Sequence, residues 1–355
     1  MIQKIKLGKL YPIVKSYALK GMLLEYSTYE ELAKSRTLEE FLEKLRPTIY
    51  GQYITEIPKP LTSRNLEKIF ENSLIDIEFS LIRYLPRPVF FETYFKRHIY
   101  KNMKTVLKAK ALGIGYEEIY HGLNLRSAEL LGVRDVLVKM VAEKDLEKAV
   151  ETLKKTPFYK DISQALELYN KEKDPLVFEV FLDRYFYENI LSELKKINRD
   201  ERKSLSEIVT YELDCYLITA SLRAKMWGLT SAEMRKFMLP QGINLSKKDV
   251  EKLIQAMKIE EVLGEISKTV YEDVLRNIDT SNKPVLLVDS VEKWFRERLL
   301  KTVRKTFLES IFKQAVILSF IKLKEFEVKN LSAISFGIEY NIPVSEIMEN
   351  VAKIT

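Results

Sequence analysis

The sequence predicts an all-α protein built from three diverged copies of one helical module. Three observations support this prediction. Gly and Pro number only 11 each among 355 residues, well below their average usage of about 7% and 5%. Apolar residues recur at helical spacing over long stretches, such as 66–81 and 316–334. A helical sequence element also recurs three times along the chain.

The recurring element is a stretch that aligns three times without a gap. It centres on Gly113, Gly228 and Asn341, which are spaced 115 and 113 residues apart. Three further positions match around it: a small residue four positions earlier, an apolar residue one position later and an acidic residue five positions later. These are Ala109, Ala224 and Gly337; Ile114, Leu229 and Ile342; and Glu118, Glu233 and Glu346.

Each matching position has a physical meaning for a helix–turn–helix unit. Gly and Asn tolerate the left-handed backbone that ends many helices. The apolar residue that follows is placed to fold back onto the helix that has just ended. Thr230 and Pro343 then favour the start of a second helix, whose first-turn acid suits the positive helix end. The small residue would let another helix approach closely.

Two more elements repeat with this unit. Leu38–Leu45, followed by Thr48 and Tyr50, resembles Leu146–Leu153, followed by Thr156 and Tyr159, and we place a weaker third copy at Val250–Met257. Another element begins at Leu66, Phe178 and Val291. The helix–turn–helix unit and these two further elements therefore recur together along the chain.

Breaker-rich segments separate the copies. They are 56–60, 169–175 and 279–284. We therefore predict a second module at 63–175, a third at 176–282, and a terminal module shared by residues 1–62 and 283–355. The two terminal pieces carry complementary halves of a module, which favours a closed, pseudo-threefold ring of three modules. The alternative is that the terminal repeats are simply truncated caps.

Composition limits the class of protein. A single cysteine, Cys215, excludes an internal disulfide framework. The best apolar run, Ala315–Ile321, is much shorter than the ~20 residues that cross a bilayer, so no transmembrane segment is expected. The net charge of +7 and pI near 9.0 permit an anionic partner without choosing one.

Candidate catalytic and metal sites are few. Gly113-Ile-Gly115 begins like a dinucleotide-binding loop, but the repeat favours a helix end there. His98 and His121 lack neighbouring ligands at metal-binding spacing. No metal or cofactor is therefore expected, and Cys215, among apolar residues, is interpreted as an inert buried thiol.

Two acids share one repeat position. Asp214 and Glu327 lie 113 residues apart, and Glu327 falls on the apolar stripe of its helix. A paired general acid and base is one interpretation. Buried acids that serve helix–helix hydrogen bonds are the interpretation that the pattern favours.

The strongest charge feature is a run of cations between 96 and 110 that contains no acid. Lys101, Lys104 and Lys108 share one helical face. We take these three lysines as candidate partner contacts. The alternatives are an ordinary solvated face, or RNA binding helped by nearby aromatic residues.

The chain resembles the C subunit of the archaeal A-type ATP synthase, a relative of the d subunit of the vacuolar ATPase. The resemblance covers essentially the whole chain. It is carried by the segments 17–24 and 45–50, by Lys108-Ala-Lys110 and Leu222-Arg-Ala-Lys225, and by Glu325-Phe-Glu-Val-Lys-Asn330-Leu331. The family commonly has a basic residue and Gly-Lys after the last motif, whereas Ser335-Phe336-Gly337-Ile338 stands here.

The resemblance implies a non-catalytic rotor adaptor. Members of the family form a funnel that caps the membrane proteolipid ring and receives the central stalk, so the resemblance implies a closed pseudo-threefold funnel. This arrangement couples ATP-driven and ion-driven motors during proton or sodium transport. It implies a peripheral location at the cytoplasmic face of the membrane, with stalk subunits and the ring as partners and no nucleic acid. The alternatives from composition are a basic helical nucleic-acid-binding or scaffold protein and an all-α enzyme with an unrecognised site.

Overall fold

Every regular element of the chain is helical in the computed structural model, which describes residues 2–55, 59–276, 278 and 283–354. No strand occurs in these ranges, so the all-α prediction is confirmed. The predicted linkers at 56–60 and 279–284 lie largely outside the described residues. The third predicted linker, 169–175, is shorter than expected, because a helix continues to Glu172 and the next one begins at Leu176.

The chain divides into two compact units. Unit 1 comprises residues 1–95, 124–132 and 306–355, and unit 2 comprises 96–123 and 133–305. The helices of unit 1 are α1 (Ile2–Lys20), α2 (Tyr26–Ala33), α3 (Leu38–Leu45), α4 (Ser63–Ile82), α5 (Val89–Phe95), α8 (Arg126–Leu130), α19 (Ala315–Glu339) and α20 (Val344–Glu349), with a 3₁₀ turn at Ile49–Tyr53.

Unit 2 holds the middle of the chain. Its helices are α6 (Arg97–Ala111), α7 (Tyr116–Gly122), α9 (Arg134–Ala142), α10 (Leu146–Glu151), α11 (Tyr159–Glu172), α12 (Leu176–Lys196), α13 (Arg199–Met226), α14 (Ser231–Phe237), α15 (Lys247–Gln255), α16 (Ile259–Ile266), α17 (Glu272–Arg276) and most of α18 (Pro284–Glu309).

The core of unit 1 forms around α19, which packs against α1, α2, α3 and α4. The predicted apolar stripe of this helix is buried at Val316, Phe320, Leu323, Leu331 and Ile334. The first helices of the chain and one of its last helices therefore share one core.

Aromatic side chains close the core of unit 1. Phe70 of α4 contacts Phe41 and Tyr50 edge to face, with ring centroids 6.1 and 5.8 Å apart. All three side chains are fully buried. This geometry adds favourable ring contacts to the hydrophobic burial.

The core of unit 2 includes a continuous apolar cluster that joins α13–α18. On α18 the buried residues Val291, Phe295, Leu299 and Val303 recur at every fourth position, which leaves the opposite face for polar side chains.

The three predicted helix ends have the same structure. Gly113, Gly228 and Asn341 adopt positive φ angles of 72°, 70° and 53°. The N–H of the next residue donates to the carbonyl of the predicted small residue in each copy, as in Ile114 to Ala109 at 2.9 Å. Leu229 to Ala224 at 2.9 Å and Ile342 to Gly337 at 2.8 Å complete the set. These are Schellman motifs, and the helix-end prediction is confirmed.

One small residue and one first-turn acid of the repeat also act as expected. A side chain at Gly337 would clash with Ile347 of α20, so this position allows the two helices to pack closely. Thr230 and Glu233 form a reciprocal capping box at the start of α14.

A threonine turn marks the second repeated element in all three copies. Thr48, Thr156 and Thr269 each donate to the carbonyl three residues earlier and accept from the N–H two residues later. The helix before Thr269 is Ile259–Ile266. The prediction of a third copy at Val250–Met257 was therefore wrong. The apolar spacing of α15 resembles that of α16, and the threonine is what distinguishes them.

The division into two compact units does not test the predicted division into three modules. The three modules and the closed funnel both stay predictions.

Two glycine substitutions should have opposite effects on stability, because one glycine has a positive φ angle and the other lies inside a helix. Gly228→Ala should destabilise the protein by about 1 kcal/mol, because a Cβ disfavours positive φ. Gly264→Ala, within α16 and with space around it, should stabilise by about 0.5 kcal/mol. Urea denaturation of both variants checks this, and equal midpoints would contradict it.

Candidate functional site

The family-like motif on α19, residues 325–331, is a set of structural contacts. Glu325 pairs with Lys322 at 2.6 Å. Asn330 forms two hydrogen bonds of 2.8 Å with the backbone of Ala352, one through its amide and one through its carbonyl oxygen. The motif therefore fixes the end of the chain against α19.

Glu327 is the centre of the motif and is completely buried. Its carboxylate accepts hydrogen bonds from the Leu24 backbone N–H at 2.6 Å and the Tyr50 hydroxyl at 2.8 Å. The Lys324 ammonium donates to the same carboxylate at 2.6 Å and also to Tyr50 at 2.8 Å. Burial lowers the pKa of Lys324, and the Glu327 carboxylate opposes this shift.

Asp214 of α13 is the equivalent acid in unit 2. It accepts from the backbone N–H groups of Ile243 and Asn244, both at 2.9 Å, and from the Tyr271 hydroxyl at 2.6 Å. Burial raises the pKa of Asp214 above its ordinary value, although these hydrogen bonds favour the carboxylate. A side chain at Gly242 would collide with the Asp214 carboxylate, so glycine permits this close approach.

The copy that contains α6 has the same kind of contact with the two partners exchanged. The long helix α6 supplies a tyrosine, Tyr100, one position from the place where its counterparts carry an acid. Its hydroxyl donates to Asp161 of α11 at 3.1 Å. Phe158 stands where Tyr50 and Tyr271 stand in the other copies, and it contacts the Tyr100 ring. A buried acid and a tyrosine thus join each long helix to the element after its threonine turn.

The acids are structural groups in this arrangement. Asp214 and Glu327 have no solvent exposure, and each is enclosed by its own donors. An external substrate could not reach them. The interpretation as buried hydrogen-bonding acids is confirmed, and the general acid–base interpretation finds no support here.

The lysine face of α6 carries the three predicted residues on one helix, and Lys104 and Lys108 bind acids of a neighbouring helix. Lys104 binds Asp183 of α12 at 2.7 Å, and Lys108 binds Glu179 at 2.5 Å. Lys101 is exposed. Burial raises the pKa of Asp183, and Lys104 opposes that shift. Two of the lysines therefore join α6 to α12, and the role of the three as partner contacts stays a prediction.

The other lysines of the family-like segments also make internal contacts. Lys110 donates to the carbonyls of Val141 and Glu143, and Lys225 donates to the carbonyl of Ile254 at 3.0 Å. In both copies an ammonium group therefore satisfies carbonyls at the end of a neighbouring helix. Sequence reasoning missed this role, although both lysines stand three positions before the left-handed glycine.

An apolar groove lies beside the acids of α12. It has a volume of about 380 Å³ and is lined by Val177, Val180, Trp227 and Phe237, with Glu179 and Asp183 on the same wall. Trp227 is exposed, as are Leu112 and Tyr340 at the matching positions of the other copies. In each copy of the repeat, a large exposed apolar or aromatic residue directly precedes the residue with the positive φ angle.

The remaining candidates from the sequence are the histidines and the single cysteine. No group of three or more potential metal ligands occurs among the described residues. His121 lies near Glu117 on an exposed face. Cys215 is half-buried, not fully buried as predicted, and the desolvation of its thiol raises the pKa to about 12. No described helix combines the length and apolarity needed to cross a bilayer.

These observations define a helical repeat protein whose shared motifs hold helices together. The chain belongs to the ATP synthase (C/AC39) subunit family, which matches residues 13–350. It is 28% identical to the C subunit of the A-type ATP synthase of Methanocaldococcus jannaschii over 92% of this chain and 81% of that protein. It is 26% identical to the corresponding protein of Pyrococcus abyssi over 97% and 90% of the two chains. The predicted family resemblance is confirmed.

Removing the carboxylate at the centre of the α19 motif should be costly. We expect Glu327→Gln to destabilise the protein by about 3 kcal/mol, because Lys324 would stay buried without its counter-charge. Thermal unfolding followed by circular dichroism measures this. As a control, Glu151→Gln removes an exposed pair with Lys154 and should leave the midpoint unchanged. Similar midpoints for both variants would refute the structural role.

The thiol of Cys215 should be unreactive in the folded protein. At pH 8 a pKa of about 12 leaves about a thousandfold less thiolate than an ordinary cysteine has. Iodoacetamide labelling, followed by mass spectrometry, should be negligible in native protein and rapid in urea. Fast native labelling would contradict the assignment of an inert thiol.

Proposed function

We propose that this chain is a non-catalytic rotor adaptor of an A-type ATP synthase. In this role it couples the central stalk to the membrane proteolipid ring during proton or sodium transport. The observation that carries the proposal is the family match, which spans residues 13–350 rather than one motif. The M. jannaschii and P. abyssi relatives, which align over most of their length, are named as the C subunit of that complex.

The internal architecture supports a mechanical part. Each long helix is tied to its neighbours by buried polar contacts, such as Glu327 with Leu24 and Asp214 with Tyr271. Such satisfied networks rigidify a core. A component that transmits torque needs stiffness of this kind. We propose that it acts at the cytoplasmic face of the membrane as a peripheral part of the complex, with its three modules closed into a funnel.

The lysine face is proposed as one contact of this adaptor. Lys104 and Lys108 are fixed by acids of α12, while the exposed Lys101 side chain extends the same face. Lys101 is therefore the member of this face that a partner reaches most directly. Nucleic-acid binding would use the same residues, but the two ion pairs reduce the charge that phosphates could meet.

A binding experiment separates these functions. Purified protein should be retained by the proteins of the central stalk and by the detergent-solubilised proteolipid ring at low and moderate salt. Electron microscopy should show it as a cap on the ring. Lys101→Glu should weaken retention without changing the unfolding midpoint. Failure to bind either partner, together with salt-dependent RNA binding, would overturn the adaptor role.

A further inference from the structure

The apolar groove of unit 2 lies where the start of α12 meets the end of α13. Only residues 197–198 separate these two helices, which pack against each other, so they run antiparallel. The rings of Tyr187 and Tyr216 lie 5.0 Å apart and define which residues face each other. Leu176 and Trp227 lie the same number of residues from this contact, in opposite directions along the chain. They therefore lie at the same level at one end of the helix pair.

The walls of the groove are mainly apolar. Val180 of α12, Ala220 and Ala224 of α13 and Phe237 of α14 line it. The two alanines lie one turn apart, and their short side chains leave space that a larger residue would fill. The volume of about 380 Å³ is typical of sites for small organic molecules, which occupy about 300–1,000 Å³. An occupant of this groove would therefore have an apolar body.

Three of the four charged side chains that line the groove have partners of opposite charge outside it. The pairs are Glu179 with Lys108, Asp183 with Lys104, and Arg223 with Glu292. Each pair cancels its own charge. These three residues therefore do not select the charge of an occupant.

Asp174 is the fourth charged residue of the groove, and it is exposed. One of its carboxylate oxygens accepts from the Leu176 backbone N–H at 2.9 Å, which holds the side chain at the start of α12. The neighbouring Lys173 ammonium lies 5.5 Å from the centre of the Tyr169 ring and donates to Asn170 at 3.2 Å. A carboxylate is therefore the charge that the groove leaves for an occupant.

Aromatic rings lie at the same groove as this carboxylate. Trp227 is 56% exposed and lies level with Leu176, two residues after Asp174. Phe237 lines the groove as well. The faces of aromatic rings attract ammonium groups, and a carboxylate attracts them directly. An anionic group at this place would be repelled by Asp174.

We propose that the groove binds an organic ammonium ion with an apolar body, and that its cationic group lies beside Asp174 and Trp227. The apolar body would lie against Ala220 and Ala224. A neutral apolar molecule would leave the carboxylate without a partner, and a carboxylate ligand would oppose it. This binding site goes beyond the adaptor function proposed above and does not depend on it.

Three small molecules with the same apolar chain test the preference for a cation. Octylammonium, octan-1-ol and octanoate differ in charge at pH 7. Their binding can be followed by the fluorescence of Trp227 in a Trp294→Phe background, because the chain has 2 tryptophans. Octylammonium should bind about tenfold more tightly than octan-1-ol, and octanoate should bind more weakly than either.

Variants test the position of the site. Asp174→Asn keeps an acceptor oxygen for the Leu176 N–H but removes the charge, so octylammonium and octan-1-ol should then bind within about twofold of each other. Ala220→Leu fills the groove and should abolish octylammonium binding. The matched control is Ala232→Leu, an exposed position of α14 outside the lining of the groove. This control should bind within about twofold of the unsubstituted chain.

Each contrary result has a defined meaning. If octanoate binds as tightly as octylammonium, or if Asp174→Asn leaves the preference unchanged, the proposed selection of a cation is overturned. If Ala220→Leu keeps both its circular dichroism spectrum and its octylammonium binding, the site is overturned. Failure of all three molecules to bind the unsubstituted chain also overturns it. If Ala220→Leu does not fold, the Asp174→Asn result decides. None of these results bears on binding to the stalk or the ring, which tests the adaptor function separately.

Discussion

The buried carboxylate of Glu327 organises unit 1. It accepts hydrogen bonds from a backbone N–H after α1, from the tyrosine of the first threonine turn, and from Lys324 one turn earlier on its own helix. A buried carboxylate is unfavourable unless its oxygens are satisfied. The arrangement of α1, the threonine turn and α19 is therefore specified together, because moving α1 or the turn away from α19 would remove a hydrogen bond from a buried carboxylate.

The same physical solution recurs in the other copies with different residues. Asp214 accepts hydrogen bonds from two backbone N–H groups and from Tyr271. In the copy that contains α6, the long helix carries the tyrosine, Tyr100, and the element after the threonine turn carries the acid, Asp161. The exchange keeps the hydrogen bond between a tyrosine and an acid and changes only which element carries each residue. It explains why three copies of one module can diverge in sequence while each long helix keeps its link to the threonine turn.

Interior and surface side chains have different roles in this protein. The residues that carry the family resemblance, such as Asn330 and Lys225, hold helix ends and chain ends in place. Side chains such as Trp227 and Phe312 are instead exposed to solvent. In the adaptor function proposed above, the first set would keep the helices in place and the second set would be available to partners. We expect the two sets to respond differently to mutation, in stability and in binding respectively.

The sequence by itself determined the helical class, the family and the three helix ends. These depend on local rules: Gly113, Gly228 and Asn341 tolerate a left-handed backbone wherever the rest of the chain lies. The third threonine turn was misplaced because α15 and α16 share the same apolar spacing, and only the hydrogen bonds of Thr269 separate them.

Only the tertiary structure decided the partners of the charged groups and the composition of the surface. Lys104 and Lys108 look like a solvent-facing pair along α6, yet acids from α12, more than 70 residues away, bind them. Tyr11 of α1 and Tyr84, which follows α4, meet in the same way although they are far apart in the sequence. The spacing of residues within one helix does not show which side chains of another helix will lie beside it, because that depends on how the helices pack.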